Sequence, residues 1–483
     1  MTGKTFGPLV LARFLLCLPF FVMLFLMLAE ATLSATTTYL VIHAGRDIAN
    51  GTFSLADLLW ILASQSTAYV IGAVSWIFAE RTGFLAYGRY MLRFARDNRH
   101  KAKLLGDKEA RERVEPFLTG ETFYVYFHLL YEIEGDLRIL LAIILNVIVL
   151  GTQIDGLLPL AYAAVFIVLF LMQWTMRRRV ADAYLENQRM TNRMTAQGYT
   201  GWDNVFTGNR YNLRLWLDGF KRKLRDGLHS QIVAIMTKES LSAASGIIGL
   251  AIVFAAMGYI AVNNAGNMEV MIALAATLPR QIEMTQDVHT FTSGWNELLA
   301  SWARLTGVSD NMHPQPDEHF ERRIKLDRLT LREGEATKSV VSLDDALRIV
   351  FAQPTGRVNV RGPNGSGKST LLTSLKSAVK TRAYYWPTAD RLAFAFARGQ
   401  DEVETDEDGN PVEAEPAKRV GFSSGERQLR ALQEIVRHTD APIYLLDEWD
   451  ANLDPNNRDA ANALVEELAR RARVVEISHR DRI

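Results

Sequence analysis

The sequence predicts an all-α domain of six transmembrane helices followed by an α/β nucleotide-binding domain built around a phosphate loop (P-loop). Long apolar runs fill the chain up to about residue 305, whereas the remainder is polar and charged. The segment Gly362–Thr370 has the sequence Gly-Pro-Asn-Gly-Ser-Gly-Lys-Ser-Thr, which fits the phosphate-loop pattern G-x-x-x-x-G-K-[ST]. A short strand pattern precedes this motif at Arg357–Arg361, and a helix pattern begins at Thr370.

Bulk composition limits the classes of protein that fit this chain. At 483 residues it is long enough for two or three domains. Lysine plus arginine equals aspartate plus glutamate, 54 of each, so no global basic field indicates nucleic acid as a partner. The single cysteine, Cys17, lies in an apolar run, which excludes a disulfide framework and a cysteine metal cluster.

Six apolar runs are candidates for membrane-spanning helices, because each approaches the ~20 residues needed to cross a bilayer. They are Phe14–Ala29 and the segments at about 55–79, 137–153, 156–175, 240–263 and 267–282. The first run could instead be a cleavable signal peptide, since Ala29-Glu30-Ala31 is a small-residue site. Its length and the runs that follow it favour an uncleaved span. The last run is interrupted by Pro279, Arg280 and Glu283.

The distribution of basic residues between the apolar runs predicts which side of the membrane each loop faces. Residues 81–122 and 177–238 are rich in lysine and arginine, whereas Gly151–Leu157 and Val262–Asn267 contain neither. By the positive-inside rule, both termini are expected to be cytoplasmic.

The two basic segments are predicted to belong to membrane helices prolonged into the cytoplasm. Phe123–Ile139 has few turn signals and runs directly into the third apolar run, and Leu213–Leu224 has a partly helical pattern. The alternative is a pair of solvated charged loops. Glu30, Glu283 and Asp287 are expected at the membrane interface, and the apolar half offers no convincing substrate site.

A polar, proline-containing stretch at Gly307–Glu321 is interpreted as a linker. It separates a transmembrane domain at 1–306 from a nucleotide-binding domain at 322–483. Directly after it, Ile324–Leu331 alternates like an edge strand, and Leu343–Ala352 predicts a second strand.

The phosphate loop supplies the groups that a triphosphate needs. Its glycines let the backbone wrap closely around the phosphates, with successive N–H groups directed inward. Lys368 adds a positive charge for the β- and γ-phosphates, and the Ser369 hydroxyl can ligate Mg²⁺. The loop residues expected to bind the nucleotide are Gly362, Asn364, Gly365, Gly367, Lys368, Ser369 and Thr370.

Two adjacent carboxylates end a second strand pattern, Pro442–Glu448. Asp447 is the expected Mg²⁺ ligand, and Glu448 is the expected base that polarises the attacking water. A single carboxylate at this position would bind Mg²⁺ but leave no base.

Three further stretches surround this strand. In Gly421–Leu429, Ser423 or Ser424 can cap the following helix, whose N-terminus is an anion site that can face a second molecule's γ-phosphate. Ala451–Asp454 follows the carboxylates. Val474–His479 predicts a last strand ending in a histidine, which taken alone is more often structural than catalytic.

In this order, the motifs resemble those of ABC transporter ATPases. They are Walker A at 362–369, a signature-like Phe422–Glu426, Walker B at 443–448, a D-loop-like 451–454 and a switch histidine, His479. The apolar half, fused ahead of the ATPase, resembles a type I exporter half-transporter. Leu446–Asp450, with Trp449 where proline or alanine is commoner, is similar to the cyclic-peptide and siderophore-peptide exporter branch.

The resemblance implies an ABC-type nucleotide-binding domain with ATP and Mg²⁺ as cofactors, and a homodimer in a bacterial inner (plasma) membrane. Each ATP would lie between Lys368 of one subunit and the signature of the other. Glu448 and His479 are the implied catalytic residues, and the histidine would support the γ-phosphate as it leaves. The other implied nucleotide-binding residues are Ser423, Gly425, Glu426 and Asp454. The implied activity is ATP-driven export of a small molecule or a peptide, such as a siderophore-like compound.

Departures from the family pattern keep other interpretations open. Thr388 stands where the family has its Q-loop glutamine, Ser424 replaces a signature glycine, and the acidic segment 401–416 lies in a shortened helical subdomain. They favour, as an alternative, the catalytically altered half of a heterodimer. An ABC-type importer and a signalling membrane ATPase also remain alternatives. The apolar runs count against a DNA-repair or chromosome-type ATPase, so nucleic acid is not an expected partner.

Overall fold

A computed structural model of the protein describes residues 7–198, 200–387, 392–398, 424–451 and 453–478. The chain divides into two compact units. The first holds Met1–Tyr90 and Gly120–Ser309, and the second holds Met91–Thr119 and Asp310–Ile483. The segment Met91–Thr119 therefore groups with the C-terminal part of the chain, although in the sequence it lies between two apolar runs.

Helices make up nearly all of the described part of the first unit. In chain order the helices up to residue 310, of which α4 belongs to the second unit, are α1 (Pro8–Ala12), α2 (Leu18–Asn50), α3 (Leu55–Asn98), α4 (Lys108–Thr119), α5 (Glu121–Gln153), α6 (Leu157–Gly198), α7 (Gly201–Phe206), α8 (Arg210–Asn263) and α9 (Met268–Asp310). Helix α6 packs along α8, and α2 packs along α5. Together with α9 they share a core that includes Ile42, Leu150, Val165, Val253 and Met284, each almost completely buried.

Four helices of the described residues are long and apolar enough to cross a membrane: α2, α3, α6 and α8. Their length and composition are those of a membrane protein. Helices α5 and α9 are equally long but do not qualify. In α5 the apolar part after Arg138 is only Ile139–Gln153, about 22 Å at ~1.5 Å per residue, against a hydrocarbon core of ~30 Å. In α9 the apolar start is interrupted by Pro279 and Arg280.

The predicted fold class, an all-α six-helix transmembrane domain followed by an α/β P-loop domain, is therefore wrong. Four candidate spans replace the six, because the runs at 137–153 and 267–282 belong to helices whose charged residues interrupt the apolar stretch. Helices dominate the described chain, and its strands form only one small six-stranded sheet.

The prediction that these two stretches are helical, and not solvated loops, is confirmed at both positions. Residues 123–139 lie inside α5, and residues 213–224 lie inside α8. At 54 residues, α8 is about 80 Å long at ~1.5 Å per residue. Because a hydrocarbon core is only ~30 Å thick, a helix of this length must extend far beyond it.

The sheet lies in the second unit and has the order β2-β1-β3-β6-β5-β4. Its strands are β1 (Thr330–Glu333), β2 (Ala336–Ser339), β3 (Gly356–Arg361), β4 (Ala383–Trp386), β5 (Ile443–Asp447) and β6 (Arg473–Ile477). Strand β1 pairs antiparallel with β2 and β3, and the other pairs are parallel. The sequence predictions of β3, β5 and β6 are confirmed.

Helices cover both faces of this sheet. They are α10 (Leu343–Phe351), α11 (Lys368–Val379), α12 (Ala395–Arg398), α13 (Ser424–His438) and α14 (Pro455–Arg471). Alternate residues of β5 face opposite layers: Leu445 packs in the core with α10 and α11, whereas Tyr444 and Leu446 pack in the core with α13 and α14. Burial on both faces is typical of parallel strands.

Two local predictions around β1 need correction. Leu343–Ala352 is not a strand, because the Ser342 hydroxyl accepts a hydrogen bond from the Asp345 backbone N–H at 3.1 Å and caps helix α10. Within Ile324–Leu331 the strand begins only at Thr330, after a 3-10 turn at Leu326–Arg328.

The segment Met91–Thr119 is held in the second unit by polar and apolar contacts. The Asp107 carboxylate accepts a hydrogen bond from the Asp317 backbone N–H at 3.0 Å, and Lys103 pairs with Glu321 at 2.6 Å. Gly106 lies directly against the Phe320 ring, since a Cβ there would come within 2.9 Å of it. This places the 3-10 turn Ala102–Gly106 against α11.

Candidate functional site

The candidate site lies at one edge of the sheet. Strands β3, β6, β5 and β4 run parallel, so their carboxyl ends share this edge. The phosphate loop follows β3, and Asp447 is the last residue of β5. Ligands of open α/β sheets bind at the carboxyl ends of the strands, so a ligand is expected at this edge.

Glycine is required at the end of the phosphate loop. Gly365 and Gly367 have left-handed backbone conformations, with φ of +76° and +91°. A Cβ on Gly367 would lie 2.6 Å from the Arg323 carbonyl oxygen and 2.8 Å from Ile324 Cα. The Lys325 backbone N–H donates to the Ser366 carbonyl at 3.0 Å, so residues 323–325 lie directly against the loop.

Helix α11 begins directly after the loop, at Lys368, and its N-terminal end borders the loop. Unpaired backbone N–H groups and the helix dipole favour an anion at such an end. The Lys368 ammonium donates to the carbonyl oxygens of Gly362 at 2.9 Å and Pro363 at 3.3 Å. It is therefore held at the mouth of the loop, where a phosphate would bind.

The structure brings the two predicted Mg²⁺ ligands together. The Ser369 hydroxyl donates to Asp447 Oδ1 at 3.1 Å, although the residues are 78 positions apart. Asp447 is 4% exposed. Among the described residues, no group of three or more His, Cys, Asp or Glu side chains could hold a metal on its own. A hydroxyl plus one carboxylate fits Mg²⁺, which commonly takes its remaining ligands from phosphates and water.

Tyr385 is part of this site and was missed by the sequence analysis. Its hydroxyl lies 3.5 Å from Asp447 Oδ2 and 3.3 Å from the Thr373 hydroxyl. Burial, together with the Asp447 charge, raises the pKa of Tyr385 well above its usual range, so its hydroxyl remains a neutral donor. The only sequence signal is its position in β4, the strand that pairs with β5.

Glu448 follows Asp447 in an unusual backbone conformation, with φ of +50°. Its backbone N–H donates to the Ile477 carbonyl at 2.9 Å, which ties it to the end of β6. The Gln428 side chain of α13 donates to the Trp449 carbonyl at 2.7 Å. The Trp449 indole N–H donates to Glu476 at 2.8 Å, and Glu476 pairs with Arg357 at 2.7 Å.

The structure also shows the positions of the remaining predicted residues. Asn364 and Gly365 form the exposed tip of the loop, and Thr370 lies in the first turn of α11. Gly425 is buried and Glu426 exposed in the first turn of α13. Asp454 is the N-cap of α14 and accepts from the Asn457 backbone N–H at 2.9 Å, a structural role.

Several predictions lie outside the described residues: those for Ser423, His479, Thr388 and the acidic segment 401–416. Among the described residues, the site thus combines a glycine loop, a lysine, a hydroxyl–carboxylate pair and an adjacent glutamate. No model of a known protein family and no curated protein matches the chain.

Proposed function

We propose that the protein is an ATPase that uses ATP binding and hydrolysis to move a substrate across a membrane, in the manner of an ABC exporter. The observation that supports this most directly is the Ser369–Asp447 hydrogen bond beside Lys368. It joins two motifs that are far apart in the sequence into one phosphate- and metal-binding arrangement. The described part of the chain contains four helices able to cross a membrane, which favours transport over a soluble activity.

In this proposal the loop backbone and Lys368 bind the phosphates of ATP, and Ser369 and Asp447 hold Mg²⁺. Bound Mg²⁺ would withdraw charge from the phosphate oxygens. Glu448, next in the chain, would orient the attacking water and accept its proton. His479 would assist as the γ-phosphate leaves, as the family resemblance implies.

We further propose a homodimer in which Ser423, Gly425 and Glu426 of one subunit face the ATP held by Lys368 of the other. Helix α13 supports this role for Gly425 and Glu426, because both lie in its first turn. The proposed location is a bacterial inner membrane with both termini in the cytoplasm. An even number of crossings, such as the four candidate spans, puts both ends on the same side.

The test is ATP turnover by the full chain reconstituted in lipid nanodiscs. Glu448→Gln removes the proposed base but keeps the side chain's size, and we expect turnover to fall at least ~100-fold while ATP still binds, because general bases contribute about 10²–10⁴-fold. Glu467→Gln, an exposed glutamate on α14, is the matched control and should behave as the wild type.

Equal turnover in Glu448→Gln and wild type would contradict the assigned base. A wild type that binds ATP but does not hydrolyse it would contradict the self-sufficient homodimer and favour a heterodimer with a second chain. If turnover is found, ATP-dependent uptake of labelled peptides into inside-out vesicles distinguishes export from import.

A further inference from the structure

Glu448 is held in a backbone conformation that side chains rarely adopt. Apart from glycines, only Lys380 and Glu448 have positive φ among the residues that the structure describes. Such conformations persist only where the surrounding contacts impose them, and they cluster at functional sites. The contacts around the Glu448–Trp449 segment therefore determine the direction in which the Glu448 side chain leaves the backbone.

Two sets of contacts hold this segment from the side of the sheet. The Glu448 backbone N–H donates to the Ile477 carbonyl at 2.9 Å, at the end of β6. The Trp449 side chain is 2% exposed, and its indole N–H donates to the buried Glu476 carboxylate at 2.8 Å. Glu476 in turn accepts hydrogen bonds from Arg357 Nε and Nη2 at 2.7–3.1 Å.

A third contact comes from helix α13. The Gln428 side-chain N–H₂ donates to the Trp449 carbonyl at 2.7 Å and lies 3.5 Å from the Glu448 carbonyl. The Gln428 side-chain oxygen is buried and accepts no hydrogen bond from the described residues. The NH₂ end of this amide is therefore the end that contacts the backbone after Glu448, and its removal would leave the Trp449 carbonyl without that donor.

We propose that Gln428 is a positioning residue that transmits the position of helix α13 to the catalytic glutamate. Gln428 lies three residues after Gly425 and two after Glu426, so it is within about one turn of the part of α13 assigned above to contact with the partner subunit's ATP. A shift of α13 moves the donor that holds the Trp449 carbonyl and so moves Glu448. Contact of α13 with the partner subunit's nucleotide thereby sets the position of Glu448 beside the nucleotide of its own subunit. This proposal rests on the proposed function, because it takes Glu448 as the base.

The test uses the full chain in nanodiscs and three variants. Gln428→Ala removes the contact, Gln428→Glu keeps the length but removes the N–H donor, and Gln433→Ala alters a second amide of α13 as the control. Steady-state ATP hydrolysis gives kcat and KM. Hydrogen–deuterium exchange, followed by mass spectrometry of peptides that contain Glu448–Ala451, reports on the turn directly.

We expect both Gln428 variants to lower kcat about 10- to 100-fold with KM within about twofold, the pattern of a lost transition-state interaction. They should also speed exchange at Glu448–Ala451 while the β3 peptides remain unchanged. Gln433→Ala should match the wild type in every measurement.

Unchanged kcat and unchanged exchange in both Gln428 variants would overturn the proposal. So would faster exchange throughout the second unit with a matching rise in KM, because that pattern indicates a general structural role. If the wild type proves inactive, the self-sufficient homodimer is contradicted, but local exchange at Glu448–Ala451 still decides whether Gln428 holds this turn. Gln428→Glu keeps the test valid if Gln428→Ala does not fold.

Discussion

Replacing Gly367 with alanine tests whether the loop between β3 and α11 binds phosphate through its backbone. Gly367 has φ of +91°, and a Cβ there would approach the Arg323 carbonyl oxygen to 2.6 Å and Ile324 Cα to 2.8 Å. Both are backbone atoms, so they cannot rotate away as the end of a long side chain can. The loop must change shape to accommodate the methyl group.

The expected effect follows from two contributions. A left-handed conformation disfavours alanine by about 1–2 kcal/mol relative to glycine. Overpacking against a fixed neighbour adds about 1–3 kcal/mol. The total of about 2–5 kcal/mol corresponds to roughly 30- to 4,000-fold weaker nucleotide binding, at about 1.4 kcal/mol for each factor of ten.

Gly365→Ala is the matched control in the same loop. Gly365 has φ of +76°, but nothing lies within 4 Å of its Cβ position. Only the backbone contribution of about 1–2 kcal/mol applies, so binding should weaken roughly 5- to 30-fold.

The assay is equilibrium binding of a fluorescent ATP analogue to the full chain in nanodiscs, with wild type and both variants measured side by side. A Gly367→Ala dissociation constant equal to that of the wild type would refute the backbone-binding argument. Equal weakening in the two variants would refute the steric part of the reasoning, because only Gly367 has backbone atoms in the way.

Two further predictions concern stability. Burial, and after it the neighbouring Glu297 charge, raises the pKa of Glu132 in α5 to about 7. Between about pH 4.5 and pH 7 the folded chain therefore binds more protons than the unfolded chain, so its stability should fall as the pH rises through this range. Glu132→Gln should flatten this slope in thermal unfolding of the detergent-solubilised chain, whereas Glu121→Gln, exposed on the same helix, should preserve it. Arg473 is 1% exposed and donates to a carboxylate and three backbone carbonyls, so Arg473→Met should destabilise the second unit by about 3–5 kcal/mol. Arg470→Met, on the exposed side of α14, should change stability by less than about 0.5 kcal/mol in the same denaturant titration, and equal effects of the two would contradict the assigned contacts.

The parts of the second unit that could be predicted from sequence are those with local signals. The phosphate loop needs fixed residue types at fixed spacing, and strand β5 shows its burial in an unbroken apolar run that ends at Asp447. Helix α10 also had a local signal that was misinterpreted. Ser342 followed by two aspartates is a helix start, and the buried Ala346, Ile349 and Val350 have helical spacing.

The apolar half was predicted less well because the ends of an apolar run are not the ends of the helix that contains it. Hydropathy locates the apolar residues of 137–153 but not the start of their helix at Glu121. The charged residues between Glu132 and Arg138 lie within that same helix, so the apolar stretch that remains is too short to span a bilayer on its own. The long helices α5 and α8 were predictable because residues 123–139 and 213–224 contain few turn signals.

The residues that hold the candidate site in place could not be found from the sequence, and the reason is physical. Tyr385 contacts Asp447 across 62 positions, and Arg357 contacts Glu476 across 119, so no local spacing encodes either contact. The groups proposed to meet the nucleotide are constrained by the ligand's chemistry, which is the same wherever the ligand binds. The groups that orient them are constrained only by this chain's own packing. The Asp447–Glu448 pair can therefore be recognised in the sequence, whereas the left-handed turn that aims Glu448, and the Gln428 contact that holds it, follow only from the fold.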